Sequence, residues 1–268
     1  MGAQGSAWNL RPDGFPRFDP VLAHEALALS FSTYPAAGDE ERCFATWRSY
    51  GYGDLVYLAS CRAAIGVRRE PSGRTLVAIG FRGTFDAEDL LLDLDLLDAS
   101  HPETHRGFLR RCETAECEAE ALRLPSLGGR TLAALMHDGE GDASLSFLAV
   151  GHSLGGAAAA LFTARALGRI PDGRRLACTF GCPTYASKEE VERRNPQPIL
   201  NLVNEHDFVA VAPQKVLPTE RRYAWGRYGR DLRGRVSESR MAWIHLIREH
   251  DGGVYSQLID RLSREGAV

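Results

Sequence analysis

The sequence predicts an α/β fold, a central, mostly parallel sheet flanked by helices, and three observations carry that expectation. Leu145–Val150 (LSFLAV) is an apolar run of strand length, the pattern of a strand covered on both faces. It leads at once into Gly151-His152-Ser153-Leu154-Gly155-Gly156, and then into Ala157–Leu167, whose Ala- and Leu-rich composition suits a helix. Three further runs, Thr75–Phe81, Leu176–Phe180 and Ile199–Val203, read as strands on either side of it.

The corner between strand and helix carries the chemistry. Glycines two before and two after Ser153 make the G-x-S-x-G nucleophile elbow, in which the serine sits on a sharp, strained turn with its hydroxyl clear of the sheet. A Cβ at position 151 or 155 would jam strand against helix, so glycine is required there. The turn also aims the helix N-terminus, with its free N–H groups and positive dipole end, at an oxyanion on the serine. A glycine-rich turn into an ordinary helix is the alternative. The correct strand before and helix after favour the nucleophile.

Composition bounds the rest. The chain has 268 residues, 44% hydrophobic and 25% charged, as expected of one globular domain over residues 1–268. A net charge of −3 argues against nucleic acid as a partner. Basic charge is nearly all arginine, since only Lys188 and Lys215 are lysines. No run approaches the roughly 20 apolar residues of a membrane-spanning helix. The start, MGAQGSAWNLRPDG, has neither the basic nor the apolar region of a signal peptide, so a cytoplasmic location is expected. Met-Gly with Ser6 also fits the short myristoylation pattern. The six cysteines match no zinc spacing. Cys61 and Cys178, in apolar runs, read as free buried thiols, while the even count leaves disulfides open.

In chain order, residues 1–18 read as irregular. Phe18–Tyr34 places Leu22, Ala23, Ala26, Leu27 and Phe31 near helical spacing, with Asp19 as N-cap and Pro20 in the first turn. A Gly-Asp-Glu loop is expected next, then one strand over Leu55–Val67 and a hairpin turn at Glu70-Pro71-Ser72-Gly73. Thr75–Phe81 runs into Arg82-Gly83-Thr84. A glycine–polar pair at a strand's C-terminal end, upstream of an elbow, is where an α/β-hydrolase places its second oxyanion donor, which makes Thr84 and Leu154 the candidate pair. Residues 85–98 are acidic and leucine-rich. Thr104-His105-Arg106-Gly107-Phe108 and then a helix through Leu122 are expected to follow, and His105, lying before the elbow, reads as structural or pocket-lining.

FRGT, HRGF, GHSLGGA and TFGCP (Thr179–Pro183), in this order and at these intervals, make the chain resemble the class 3 lipase family, the fungal-lipase-like α/β-hydrolases, over roughly residues 19–260. The resemblance implies a serine hydrolase of carboxylic esters, mostly acylglycerols or phospholipids, with feruloyl esters cleaved by some relatives. It implies no metal or organic cofactor, and lipid or small ester substrates met at a transient lipid or membrane surface. It also places a lid at residues 85–104, against the plain alternative that Leu90–Leu97 packs on the sheet. The sequence departs from the family's usual pattern in two places. Asp89 is followed by Leu90 rather than Trp, and Asp207-Phe208-Val209 by Ala210 rather than Pro.

The acid of this fold sits on a loop just past a strand, which singles out Asp207 after Ile199–Val203, with Glu205 as runner-up and a capping Asp as the plain alternative. His206 adjoins Asp207 and cannot readily turn onto it. Of the later histidines, His245 lies in the apolar Met241–Ile247 run and reads as a core residue. His250 lies in a loop opening the last helix, Val254–Leu262, and Tyr255 matches the aromatic that follows the family's histidine by five residues. The expected triad is therefore Ser153, Asp207 and His250. Arg221, Arg222, Arg227, Arg230, Arg233, Arg235 and Arg240 read as a solvated strand face, or more sharply as an anionic head-group patch. A catalytically silent binding module of the same fold is the rival reading, and transfer of the acyl group to an alcohol would use the same residues.

Overall fold

Strands that are apolar on both faces require helices on both sides of one sheet, and the computed structural model has that arrangement. It describes residues 8–35, 38–83, 106–211, 225–236 and 248–267. The Met-Gly start, Thr84, the 85–104 segment, His105, Arg221, Arg222, Arg240 and His245 lie outside the described residues.

The main sheet has seven strands: β1 (Gly53–Leu58), β2 (Ala63–Arg69), β3 (Thr75–Phe81), β4 (Leu145–His152), β5 (Arg175–Phe180), β6 (Ile199–Asn204) and β7 (Arg230–Gly234). They lie side by side in chain order. β1 to β3 form an antiparallel meander, and β3 to β7 are parallel throughout. The helices are α1 (Pro20–Ser32), α2 (Glu40–Ser49), α3 (Arg106–Ala121), α4 (Leu132–Asp138), α5 (Leu154–Ala164), α6 (Lys188–Arg194) and α7 (Gly252–Arg264).

With an unreversed strand order, right-handed crossovers place the connecting helices on one face. On that face Cys112, Ala115 and Ala119 of α3, Leu132 and Leu135 of α4 and the whole of α5 pack on Val77, Ile79, Phe81, Phe147 and Ala149. The other face is covered from outside the parallel run. There α1 (Ala26, Leu29), α2 (Cys43, Trp47) and α7 (Tyr255, Leu258, Ile259) meet Leu76, Ala78, Leu148 and Val150. Alternate residues of β3 and β4 thus face opposite layers, as the two-residue strand period demands.

Most expected elements are present. Asp19 caps α1, accepting from Val21 N at 2.9 Å. The predicted strand Leu55–Val67 is two antiparallel strands, β1 and β2, joined by a turn in which Arg62 takes φ +52. Neither glycine nor asparagine marks that turn. The expected loop after α1 contains α2, capped by Asp39 on Arg42 N (3.0 Å). Only Cys43 and Trp47 of its ten residues are buried, one helical turn apart, so its amphipathic signal is thin. The arginine segment divides. Arg230 and Arg233 lie on the edge strand β7, around the buried Leu232, whereas Arg227 is buried and does not belong to a surface patch. All six cysteines are free thiols, five of them buried and Cys117 exposed. Among the described residues, no helix is long and apolar enough to cross a membrane.

Trp47 anchors α2. Its ring fills the space over Gly66 and Gly80, where an added Cβ would fall 2.9 and 2.8 Å from it, and its indole N–H donates to Ser32 Oγ at 2.9 Å. Trp47→Ala is expected to cost about 3–5 kcal/mol, and Gly80→Ala about 1–3 kcal/mol through overpacking. In urea titrations, a smaller aromatic at position 47 should relieve part of the Gly80→Ala cost. Strict additivity of the two changes would contradict the contact.

Candidate active site

β4 ends at His152, α5 begins at Leu154, and Ser153 between them takes φ 58 and ψ −132. A side chain in that region costs on the order of 1–3 kcal/mol and persists only where the surroundings dictate it. Here the surroundings are backbone. A Cβ on Gly151 would fall 2.2 Å from the Gly155 carbonyl oxygen, and one on Gly155 would fall 2.2 Å from the Phe81 carbonyl oxygen. The two glycines let α5 rest on the ends of β4 and β3. The Ser153 N–H donates to Phe180 O at 2.9 Å, tying the corner to β5. The Ser153 side chain is fully buried, and its Oγ has no hydrogen-bond partner among the described residues. Leu154 is the first residue of α5, so its N–H has no carbonyl one turn earlier to bind. The end of β3 passes close by: a Cβ on Gly83 would lie 3.1 Å from Ser153 Cβ. Thr84 is the next residue, outside the described set.

Asp207 lies in the turn after β6 with no solvent exposure. Its Oδ2 meets His250 Nδ1 at 2.7 Å and accepts from the Tyr255 hydroxyl at 2.6 Å. Its Oδ1 accepts from Val209 N at 2.9 Å and Ala210 N at 3.4 Å. The departure at position 210 thereby acquires a physical meaning, because proline there would have no N–H to give. The runner-up, Glu205, points elsewhere and pairs with Arg235 at 2.5 Å, and His206 is exposed. A carboxylate only accepts, so His250 donates from Nδ1 and keeps its Nε2 as an acceptor. That Nε2 is buried and, like Ser153 Oγ, has no partner among the described residues.

Other side chains hold His250 from behind. The rings of His152 and His250 lie 4.2 Å apart, and His152 Nε2 meets the His250 carbonyl at 2.8 Å. A carbonyl cannot donate, so His152 Nε2 does, and its Nδ1 accepts from the Tyr34 hydroxyl at 2.7 Å. Burial, and next the neighbouring His250, hold the His152 pKa well below the usual histidine range, so this ring is neutral. Burial raises the Tyr34 pKa and keeps its proton in place. Gly181, at φ +58 just beyond β5, lies against both partners: a Cβ there would fall 2.7 Å from His250 Cε1 and 2.8 Å from Asp207 Oδ2.

The structure therefore brings Ser153, Leu154, Asp207 and His250 to the C-terminal ends of the parallel strands. Tyr34, the supporting role of His152, and Gly181 were not anticipated. The T-F-G-C-P run after a strand held the signal for Gly181, whereas Tyr34 at a helix end had none. Among the described residues, no group of three or more His, Cys, Asp or Glu is placed to hold a metal ion.

Chain order decides the class. Unrelated folds share the serine–histidine–acid arrangement, but in the order serine, acid, histidine, on the strand ends of a parallel sheet, it belongs to the α/β-hydrolases. The chain is a serine hydrolase of that architecture. The family model for Lipase (class 3) matches residues 78–217, from β3 past Asp207, and the chain belongs to this family of lipid-ester hydrolases. Solved structures agree on the fold. The Rhizomucor miehei triacylglyceride lipase superposes with a TM-score of 0.57 at 18% identity, covering 80% of this chain and 78% of its own. Lipase II from Rhizopus niveus gives 0.54 at 16% identity, covering 79% and 78%. A triacylglycerol lipase whose catalytic centre is a serine protease triad gives 0.54 at 20% identity, covering 80% and 78%. No curated protein matches the chain.

Two predictions follow from the base's surroundings. Gly181→Ala should leave a folded protein whose turnover is reduced about 10²-fold, the usual cost of a displacement near 1 Å. Near-normal kcat would show that the His250–Asp207 pair tolerates the intrusion. For His152 the folded-state pKa lies below the unfolded value of about 6.5, so the unfolded chain takes the proton first. The stability it contributes is complete above pH 6.5 and is lost as pH falls below that toward the folded-state value, at up to about 1.4 kcal/mol per pH unit. Urea midpoints at pH 8 and pH 5 should therefore separate more for the native protein than for His152→Gln.

Proposed function

We propose that this lipase-family enzyme cleaves acylglycerols or phospholipids through an acyl-enzyme on Ser153. His250 Nε2 takes the Ser153 hydroxyl proton as Oγ attacks the ester carbonyl. Asp207 stays ionised, holds the imidazole in its Nδ1–H tautomer and stabilises the imidazolium. The N–H of Leu154, with the main-chain N–H of Thr84, binds the oxygen of the tetrahedral intermediate, and each such donor is typically worth about 10²–10³ in turnover. The imidazolium then gives its proton to the leaving alcohol, and water repeats the sequence to release the acid. One observation carries this reading. Ser153 Oγ and His250 Nε2 are both buried and unpartnered, while the other nitrogen of His250 is fixed on a fully buried carboxylate. Two unsatisfied polar atoms of that kind are costly in a stable interior, and here they are the two atoms a proton transfer needs. The substrate class is supported by family membership, and the triad by analogy with the triacylglycerol lipase of the same fold.

The test has two parts. A fluorophosphonate probe should label the native protein with one equivalent, at Ser153, and should fail to label Ser153→Ala. Hydrolysis should then be measured on a panel of p-nitrophenyl esters, triacylglycerol emulsion, phospholipid vesicles and feruloyl esters. Ser153→Ala and His250→Ala should each lose about 10⁶ in kcat, and the double variant little more. A folded Ser153→Ala protein with near-native activity would overturn the mechanism. Turnover of feruloyl or short soluble esters alone would replace the substrate class.

A further inference from the structure

Arg227 follows the two-residue strand Trp225–Gly226, and its side chain is 3% exposed. The guanidinium reaches three separate segments. Nη1 donates to the Cys182 carbonyl, Nη2 to the Ala210 carbonyl at 2.9 Å, and Nε lies 3.3 Å from Asp231 Oδ1. Two of these are the segments that shape the surroundings of Asp207. Cys182 is bonded to Gly181, which lies against both His250 and the Asp207 carboxylate. Ala210 and its neighbour Val209 give their N–H groups to Asp207 Oδ1, so one peptide segment is gripped through its carbonyl by Arg227 and binds the carboxylate through its amides. The third contact anchors the clamp to the sheet. Asp231 on β7 also binds Arg233 Nη2 at 2.8 Å and Asn201 Nδ2 at 3.2 Å, and Asn201 on β6 accepts from Thr179 Oγ1 on β5 at 2.7 Å.

We infer that Arg227 is a positioning residue for Asp207, clamping the segments after β5 and β6 so that the carboxylate meets His250 in line. The inference rests on Asp207 being the triad acid. Only arginine suits the place. Its planar fork directs donors three ways at once and its charge cannot be lost by deprotonation, whereas lysine presents one small cation. A buried charge facing two carbonyls and a single carboxylate is not the cheapest way to hold loops together, since apolar packing commonly matches or exceeds a buried ion pair in stability. Its geometry toward the acid is what apolar residues could not reproduce.

Arg227→Lys retains the charge and removes the fork. In that variant kcat on a soluble p-nitrophenyl ester, expressed per site titrated with the fluorophosphonate, should fall by about 10-fold or more, with KM within twofold. The acid limb of the kcat/KM profile should move to lower pH, because a misaligned carboxylate holds the imidazolium less well. A tie serving stability alone would lower Tm and leave kcat per titrated site and the pH profile unchanged, and that result overturns the proposal. If Arg227→Lys does not fold, Asp231→Asn carries the test. It removes the carboxylate charge that anchors the guanidinium on one side and should give the same signature at smaller amplitude; native kcat and profile would again overturn it. Asp207→Asn, run alongside, separates the two levels of the argument. Full activity in that variant removes Asp207 from the mechanism, whereas its loss combined with unchanged Arg227 and Asp231 variants refutes only the clamp.

Discussion

The contact on which the molecule depends is backbone against backbone at the elbow. With hydrogen in place of a side chain at 151 and 155, α5 rests on the ends of β3 and β4, and Ser153 has only the strained conformation left to it. The rest of that layer conforms to this closeness. Ala157 to Ala160 are fully buried, and α3 brings Cys112, Ala115 and Ala119 to the same layer, so small residues meet small residues between the two helices. Larger side chains would lift the helix from the sheet and withdraw its N-terminus from the serine. The apolar packing of the layer and the placement of the free Leu154 N–H beside Ser153 have the same cause.

The acid shows how a buried charge is kept available. Removing a carboxylate from water is costly unless donors replace the water, and Asp207 has four: an imidazole, a phenol and two amides. No arginine or lysine among the described residues touches it. Tyr255 keeps its proton because burial and the adjacent Asp207 raise its pKa, so it remains a neutral donor. The one nearby guanidinium is engaged by carbonyls and by Asp231. Among the described residues the charge of Asp207 thus faces no fixed cation, and in the proposed mechanism the imidazolium of His250 is the cation it stabilises.

What was legible in the sequence follows the strength of the local constraint. The β4–elbow–α5 unit could be read because an apolar run, obligatory glycines and a helix former all agree over one short stretch. The turn between β1 and β2 was hidden because Arg62 adopts a positive φ without the glycine that usually announces it. α2 was hidden because only two of its ten residues are buried, which leaves little periodicity. At the site, the loop after β6 already favoured Asp207 over Glu205, while the burial of Asp207 and the pairing of Glu205 with Arg235 are what the order of residues does not contain. Arg227 stood in a run of arginines alike in sequence, and only the fold separates it from Arg230 and Arg233. Tyr34 illustrates the general difficulty. Its partner, His152, is 118 residues away, so no local pattern could have joined them.

The simple strand order also bears on when the protein becomes an enzyme. A chain folding as it is synthesised can assemble β1 to β5 with α1 to α5, and so can form the elbow, before the later segments exist. That intermediate holds Ser153 without Asp207 or His250. Asp207 arrives with β6, and His250, 98 residues beyond His152, arrives with the helix that closes the second face of the sheet. Until α7 docks, Leu148, Val150 and Cys178 lack part of their cover and Ser153 lacks its proposed base. In the proposed mechanism, burial of the last apolar face and completion of the triad are therefore one event.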